Sequence, residues 1–174
     1  WIENNEIHDV YGYSIEQGID IEGRMISEAH VSNNNLYNNG KGDILVYIPS
    51  VTPETNAENI FIKDNRCTKK IWIECANNAT PIKVHDNTVN NPNTTGDIYT
   101  VDFALYARGK NIHLTNNVAY GHVRLYDLKD SKVDGLYVRG KSLVFSECVN
   151  STFNDIEYHS TLYAYKNFNI NKCT

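Results

Sequence analysis

A short motif recurs along this chain and limits how the chain can fold. In each copy, two apolar residues alternate with other residues and are followed by a polar residue and an asparagine, as in Ile60–Asn65. Further copies are Ala29–Asn34, Ile82–Asn87 and Ile112–Asn117, and Glu3–Asn5 fits the end of another copy. The repeated asparagines are separated by unequal steps of 22 to 31 residues. Such steps exclude a repeat of fixed length and favour stacked repeats whose strands are constant while their loops vary.

A second kind of run follows each motif after a stretch of turn-forming residues. In these runs apolar residues alternate with other residues, and alternation over four residues indicates a strand with one buried face. The second runs are Ile19–Glu22, Ile44–Tyr47, Ile71–Glu74, Leu105–Arg108, Val123–Tyr126, Leu143–Ser146 and Leu162–Tyr165.

Parallel stacking of these runs would place their first residues in one buried column. A single pair of strands cannot bury this face, whereas stacked neighbours bury it continuously. The sequence therefore predicts an all-β parallel β-helix of about seven coils, each with two strands and two turns, forming one domain over residues 1–174. The predicted inner column contains Ile19, Ile44, Ile71, Val123 and Leu143.

The repeated asparagines have a structural explanation. Asparagine tolerates the left-handed backbone region of a sharp turn better than other residues that carry a Cβ. Stacked in register, its side-chain amide can also bond the repeats above and below. We therefore predict an architectural asparagine ladder made of Asn5, Asn34, Asn65, Asn87 and Asn117.

Composition and charge exclude some classes of partner. The formal net charge is −5, and lysine and arginine do not cluster as a nucleic-acid interface requires. The apolar runs are far shorter than a membrane span, so we predict no membrane insertion. Because the sequence starts at Trp1 within a predicted strand, we expect it to be a fragment of a longer protein, open at both ends.

The four cysteines, Cys67, Cys75, Cys148 and Cys173, form no CxxC pair. Zinc binding is therefore not expected, and we interpret the cysteines as small buried apolar residues. A disulfide between Cys148 and Cys173 stays open as an alternative. The histidines show no metal-ligand spacing, so no metal site is predicted at His8, His30, His85, His113, His122 or His159.

The asparagine-bearing turns and alternating runs resemble the pectate-lyase-like superfamily of right-handed parallel β-helices, over essentially the whole chain. The segment Gly18–Glu22 and the abundance of Asn, Tyr and Ile are similar to phage tail spikes and appendages. This resemblance implies a homotrimer on a virion tail, or otherwise extracellular or surface-exposed. It also implies that the protein attaches to a bacterial host by binding, and in many relatives cleaving, surface polysaccharide or teichoic acid.

Between the inward residues of the second runs lie residues that should face solvent. Aromatic side chains at this spacing can stack on sugar rings, and guanidinium groups can bond hydroxyls and acidic substituents. The predicted substrate-binding residues are Tyr47, Trp72, Tyr106, Arg108, Arg124 and Tyr126. For Tyr163 and Tyr165 we prefer a contact between subunits.

Three carboxylates on the same stripe, Asp20, Glu22 and Glu74, are the candidate catalytic residues. Asp20 and Glu22 should lie about 7 Å apart, which is admissible for glycoside hydrolysis. The chain departs from the polygalacturonase pattern, since Gly121-His122 lacks a following glycine and no Asp-Asp pair occurs.

Three functions therefore remain open: glycan binding, depolymerisation by a hydrolase or lyase, and a structural trimeric shaft. No cofactor is predicted, with a divalent cation such as calcium open only for a lyase.

Overall fold

A computed structural model describes residues 1–11, 17–48, 56–92, 94, 103–140, 142–160 and 167–171. Within these residues the regular structure consists of strands, and the strands pair in parallel. This part of the chain contains no helix with the length and apolarity needed to cross a membrane.

The strands, numbered in chain order, stack in three ladders. Ladder A consists of β1 (Ile2–Glu3), β5 (Ala29–Ser32), β9 (Ile60–Lys63), β12 (Ile82–His85), β15 (Ile112–Thr115) and the first parts of β18 (Lys132–Gly140) and β20 (Thr152–Ser160). Ladder B consists of β2 (Glu6–His8), β6 (Asn35–Tyr37), β10 (Arg66–Cys67), β13 (Thr88–Asn90), β16 (Val118–Tyr120) and the second parts of β18 and β20.

Ladder C forms a separate sheet, and a short pair of strands lies outside the three ladders. Ladder C consists of β3 (Gln17–Glu22), β7 (Gly42–Ile48), β11 (Ile71–Cys75), β14 (Leu105–Lys110), β17 (Val123–Lys129), β19 (Ser142–Ser146) and β21 (Asn167–Asn171). The short pair is β4 (Met25–Ile26) with β8 (Asn56–Ala57). Because the chain visits ladders A, B and C in recurring order, the arrangement is solenoid-like and compatible with a parallel β-helix.

The prediction of two strands in each repeat is wrong, because ladder B supplies a third. Its first five strands have two or three residues each, too few to show alternation in the sequence. Each contributes a single inward side chain, such as Leu36, Cys67, Val89 or Ala119, all of which are buried.

The predicted inner column is confirmed in ladder C. Ile19 pairs with Ile44 and Ile44 with Ile71, and Val123 pairs with Leu143 further along the ladder. Leu105 joins the two parts by pairing with Ile71 and Val123. All six side chains are buried, and burial of an aliphatic side chain of this size contributes about 1.5–3 kcal/mol.

The last repeat departs from the prediction. The run Leu162–Tyr165, including Tyr163 and Tyr165, lies outside the described residues. The strand that pairs with β19 is β21, in which Phe168 stands opposite Leu143. The last described strand of ladder C, β21, therefore lies later in the sequence than the run Leu162–Tyr165 that the alternating pattern indicated.

The repeated asparagines bond one another from repeat to repeat. The Oδ1 atoms of Asn34, Asn65, Asn87 and Asn117 each accept two bonds, at 2.9–3.2 Å, from the backbone N–H and side-chain amide of the preceding repeated asparagine. The same four side-chain amides donate to backbone carbonyls of the preceding repeat at 2.8–2.9 Å. These four asparagines are buried, whereas Asn5 at the end of the row is exposed.

The left-handed turn lies one residue earlier than predicted. None of the repeated asparagines has a positive φ, whereas the residue before each of them does: Asn4, Asn33, Asp64, Asp86 and Asn116, with φ of 51–59°. Asparagine and aspartate tolerate this region more readily than most residues. Two neighbouring residues thus share the tasks: one has the left-handed backbone conformation of the turn, and the other forms the asparagine row.

Three of the cysteines lie in the interior, as predicted. Cys67, Cys75 and Cys148 are buried, and Cys173 lies outside the described residues. Burial raises the pKa of the Cys67 thiol well above its usual range and raises that of Cys75 to about 11. Both thiols are therefore held protonated, as expected of packing residues.

Candidate functional site

The outer face of ladder C carries two columns of side chains in continuous register. One contains Asp20, Leu45, Trp72, Tyr106, Arg124 and Val144, and the other contains Glu22, Tyr47, Glu74, Arg108, Tyr126 and Ser146. Neighbouring strands in such a ladder are about 4.8 Å apart. The six predicted binding residues therefore lie on four adjacent strands.

An aromatic cluster occupies the middle of the first column. The ring centroids of Trp72 and Tyr106 are 5.1 Å apart, and those of Tyr106 and Phe103 are 5.7 Å apart. The Lys70 Nζ lies 4.6 Å from the Trp72 ring centroid, a distance that allows a cation–π contact. Trp72 is half-buried in this cluster.

Two residues that should face solvent are covered. Leu45 is only 4% exposed and Tyr106 only 9% exposed, although both point away from the inner column. Burial is the main cause that raises the pKa of Tyr106. Tyr106 is therefore better placed to support the Trp72 ring than to contact a ligand itself.

A charged pair lies beside the aromatic cluster. The Arg108 guanidinium donates to Glu74 Oε1 at 3.2 Å, and the Trp72 indole N–H donates to Glu74 Oε2 at 3.3 Å. Asp127 lies on the other side of Arg108, with 3.8 Å between Arg108 Nε and Asp127 Oδ2. Glu74 is thus tied to its neighbours, and this favours a role in holding Trp72 and Arg108 in place.

A β-bulge sets the position of Asp127. The register between β14 and β17 shifts after Arg108, so that Gly109 pairs with Leu128 and Asp127 is the extra residue. Bulges of this kind re-aim a side chain. Here the Asp127 carboxylate also meets Lys129 at 3.0 Å, which joins the two basic residues in one network.

Tyr126 lies between two arginines. Its ring centroid is 5.3 Å from the Arg108 guanidinium carbon and 4.9 Å from that of Arg124. Its hydroxyl donates to Glu147 at 3.2 Å. The ring is partly exposed, so it presents an apolar face that its neighbours hold in a fixed orientation.

The three candidate catalytic carboxylates do not all meet. Asp20 and Glu22 lie on one face of β3, and both are exposed. Partial burial, followed by the charge of Glu22, raises the pKa of Asp20. Glu74 is two strands away, with Tyr47 between it and Glu22, a separation of about 10 Å between strand positions. Only the pair Asp20–Glu22 remains suited to acid–base chemistry.

Metal ligands do not converge anywhere in the described ranges, where no three His, Cys, Asp or Glu side chains are placed to hold an ion.

An open groove of about 800 Å³ follows the corner between ladders A and B. The charged side chains that line it are Lys63, Arg66, Asp64 and Asp86. These opposite charges balance. Asn34 and Asn65 of the asparagine row line the groove, whereas none of the predicted catalytic or substrate-binding residues does.

Four residues of the ladder C site were not predicted from the sequence: Lys70, Phe103, Asp127 and Glu147. Lys70 immediately precedes β11, and Phe103 stands two residues before β14, so inspection of the strand flanks could have suggested them. The bulge that positions Asp127 has no signal in the alternating pattern. Glu147 follows β19 and reaches Tyr126 only because the strands are in register.

Comparison of the chain with protein-family models, with curated proteins and with solved structures finds no match.

Proposed function

We propose that this chain is a right-handed parallel β-helix of about seven coils from a phage tail spike, or from a comparable surface-exposed protein. In this proposal it forms a homotrimer and binds bacterial cell-surface polysaccharide or teichoic acid. The bound polymer lies along the outer face of ladder C, across Trp72 and Tyr126. Because fold alone does not determine function, the proposal depends on the side chains of this face.

The observation that carries the proposal is the held orientation of two aromatic rings on one sheet face. Trp72 is fixed by Glu74 and Lys70, and Tyr126 is fixed by Arg108 and Glu147. Rings that are already ordered lose little conformational entropy when a ligand binds. A row of rings, guanidinium groups and carboxylates on adjacent strands suits an extended polymer of sugars, which offers ring faces and many hydroxyls.

Replacing Tyr126 by alanine should weaken glycan binding by a factor of up to about ten, because one aromatic contact contributes about 0.5–1.5 kcal/mol. Trp72→Ala should have at least the same effect. The measurement is an array of bacterial surface polysaccharides and wall teichoic acids, followed by calorimetric titration with the best ligand.

Tyr120→Ala is the matched control, since Tyr120 is also partly exposed but lies in ladder B. It should leave affinity unchanged. Equal losses in the Tyr120 and Tyr126 variants, or no glycan retained by the wild-type chain, would contradict the proposal. If Trp72→Ala changes the oligomeric state and leaves glycan retention intact, the face of ladder C is a subunit contact and the structural shaft is the better explanation.

Depolymerase activity is the second candidate, favoured by the pair Asp20–Glu22. A carboxyl group with a raised pKa next to a second carboxylate is the arrangement that acid–base cleavage of a glycosidic bond requires. The spacing of about 7 Å along the strand suits an inverting hydrolase.

If the chain is a depolymerase, it should release reducing ends or unsaturated products from the glycan that it binds. Asp20→Asn and Glu22→Gln should then each lower the rate by a factor of about 100 or more, while affinity for the glycan is retained. Glu28→Gln, an exposed acid outside this face, should change nothing. Absence of product from the wild-type chain would leave binding as the function.

A further inference from the structure

Every residue that lines the groove at the corner between ladders A and B is polar. One side of the groove belongs to ladder A, with Ser32 and Lys63, and the other belongs to ladder B, with Asn35, Arg66 and Thr88. On each side these residues stand in register on adjacent strands, which are about 4.8 Å apart. The groove therefore runs along the stacking direction of the strands.

The corner itself adds three exposed side chains to the groove, those of Asn33, Asp64 and Asp86. All three residues have a positive φ of 53–57°. The asparagine that follows each of them is buried in the asparagine row, so the corner side chains are the ones that face outward. Each left-handed turn thus places a hydrogen-bonding group in the groove.

Three neighbouring charged groups of this groove do not bond one another. Lys63, Asp64 and Arg66 are close in sequence, yet among the described residues their side chains form no ion pair and no hydrogen bond. Asp86 differs, since its carboxylate already bonds His85 at 2.8 Å. Two groups that donate and one that accepts are therefore available to a ligand in the middle of the groove.

The lining of the groove excludes several classes of ligand. Two cations are balanced by two carboxylates, so the groove offers no net charge to a nucleic acid or another polyanion. Sites for protein partners and for drug-like molecules depend on apolar and aromatic anchors, which this polar lining lacks. Its volume of about 800 Å³ is nevertheless that of a ligand-binding cleft. A ligand that fits is uncharged and rich in hydrogen-bonding groups.

We propose that the groove binds an uncharged saccharide by its hydroxyl-bearing edge. Lys63 and Arg66 only donate hydrogen bonds and the Asp64 carboxylate only accepts them, whereas a sugar hydroxyl does both. Neighbouring hydroxyls of one sugar can therefore bond the cations and the carboxylate together, and hydrogen bonds to charged groups are the stronger kind. Asn35 and Thr88 continue these contacts on the adjacent strands. The site does not rest on the function proposed for ladder C, because the two share no residue.

The test begins with an array of neutral glycans that contains dextran, mannan, galactan and oligomers of N-acetylglucosamine. At least one of them should bind to the chain. Calorimetric titration then compares the best neutral glycan with its carboxymethyl derivative at one ionic strength. The derivative should bind at least about fivefold more weakly, because the balanced groove offers no net positive charge to the added carboxylates.

Asp64→Asn and Arg66→Gln should each lower affinity for the best neutral glycan about five- to tenfold, because each removes a charged hydrogen-bonding partner. Asparagine tolerates the left-handed backbone at position 64, so the turn is kept. Asp130→Asn is the matched control for the first variant, since Asp130 is exposed and has a φ of 49°. Arg139→Gln is the control for the second, at an exposed position of ladder B outside the groove. Both controls should bind as the wild-type chain does.

A loss confined to the Asp64 and Arg66 variants assigns the binding to the groove. If all four variants bind the neutral glycan as tightly as the wild-type chain, the glycan is held elsewhere, and binding at ladder C remains open. That result overturns the proposal, as do equal losses in all four variants, tighter binding of the carboxymethyl derivative, or a wild-type chain that binds no neutral glycan.

Discussion

Asn65→Ala should lower the free energy of unfolding by about 3–5 kcal/mol. Asn65 is fully buried, and its Oδ1 accepts bonds from the backbone N–H and the side-chain amide of Asn34. Its own amide donates to the Val31 carbonyl and to Asn87. Alanine removes all four of these bonds in a site that water does not reach. The backbone N–H of Asn34 loses its acceptor, and a buried polar group left in this way costs about 1–3 kcal/mol. Equilibrium urea denaturation followed by circular dichroism measures the loss.

Asn5→Ala is the matched control for this prediction. Asn5 occupies the same motif position and donates to Asn34, but it lies exposed at the end of the row. Its removal should cost less than about 1 kcal/mol. If both variants lose the same stability, the bonds between asparagines contribute little, and the residue is needed only for the local turn.

Gly109→Ala should destabilise the chain by at least about 3 kcal/mol. Gly109 has a φ of 121°, a backbone conformation that residues with a Cβ rarely adopt, and it lies at the bulge between β14 and β17. A Cβ there would lie 1.8 Å from the carbonyl oxygen of Cys75. The obstacle is backbone of the adjacent strand, so ladder C itself must move. The thermal and urea midpoints of the variant measure this effect.

Lys110→Ala tests the neighbouring position of the same strand. Lys110 is exposed, and its substitution should change stability by no more than about 0.5 kcal/mol. A Gly109 variant as stable as the Lys110 variant would mean that the bulge yields easily. The proposed role of the bulge in presenting Asp127 to Arg108 would then lose its basis.

The sequence predicted those parts of the fold that depend on local alternation and on a repeated polar residue. Ile19, Ile44 and Ile71 share a column because strands with one buried face align by that face. The asparagine ladder followed from the recurrence of one residue type at one position. The strands of ladder B were not predicted, because a strand with a single inward residue, such as Val89, is too short to show the alternation of apolar and polar residues.

The candidate site was predicted less completely because burial depends on what covers a sheet face. Alternation placed Tyr106 on the outer side, but Phe103 and Trp72 pack against it. Glu74 was predicted to be a catalytic carboxylate, but the indole N–H of Trp72 and the guanidinium of Arg108 donate hydrogen bonds to its two oxygens.

The row of buried amides from Asn34 to Asn117 has a polarity. In every step the lower-numbered copy donates and the higher-numbered copy accepts, so the amide dipoles point the same way and polarise one another. Where the row stops, Leu136 occupies the position after Asn117 and is buried without such bonds. Coupling that passes only between nearest neighbours makes the ends fray first. The middle of the row around Asn65 should therefore be the last region to open to solvent.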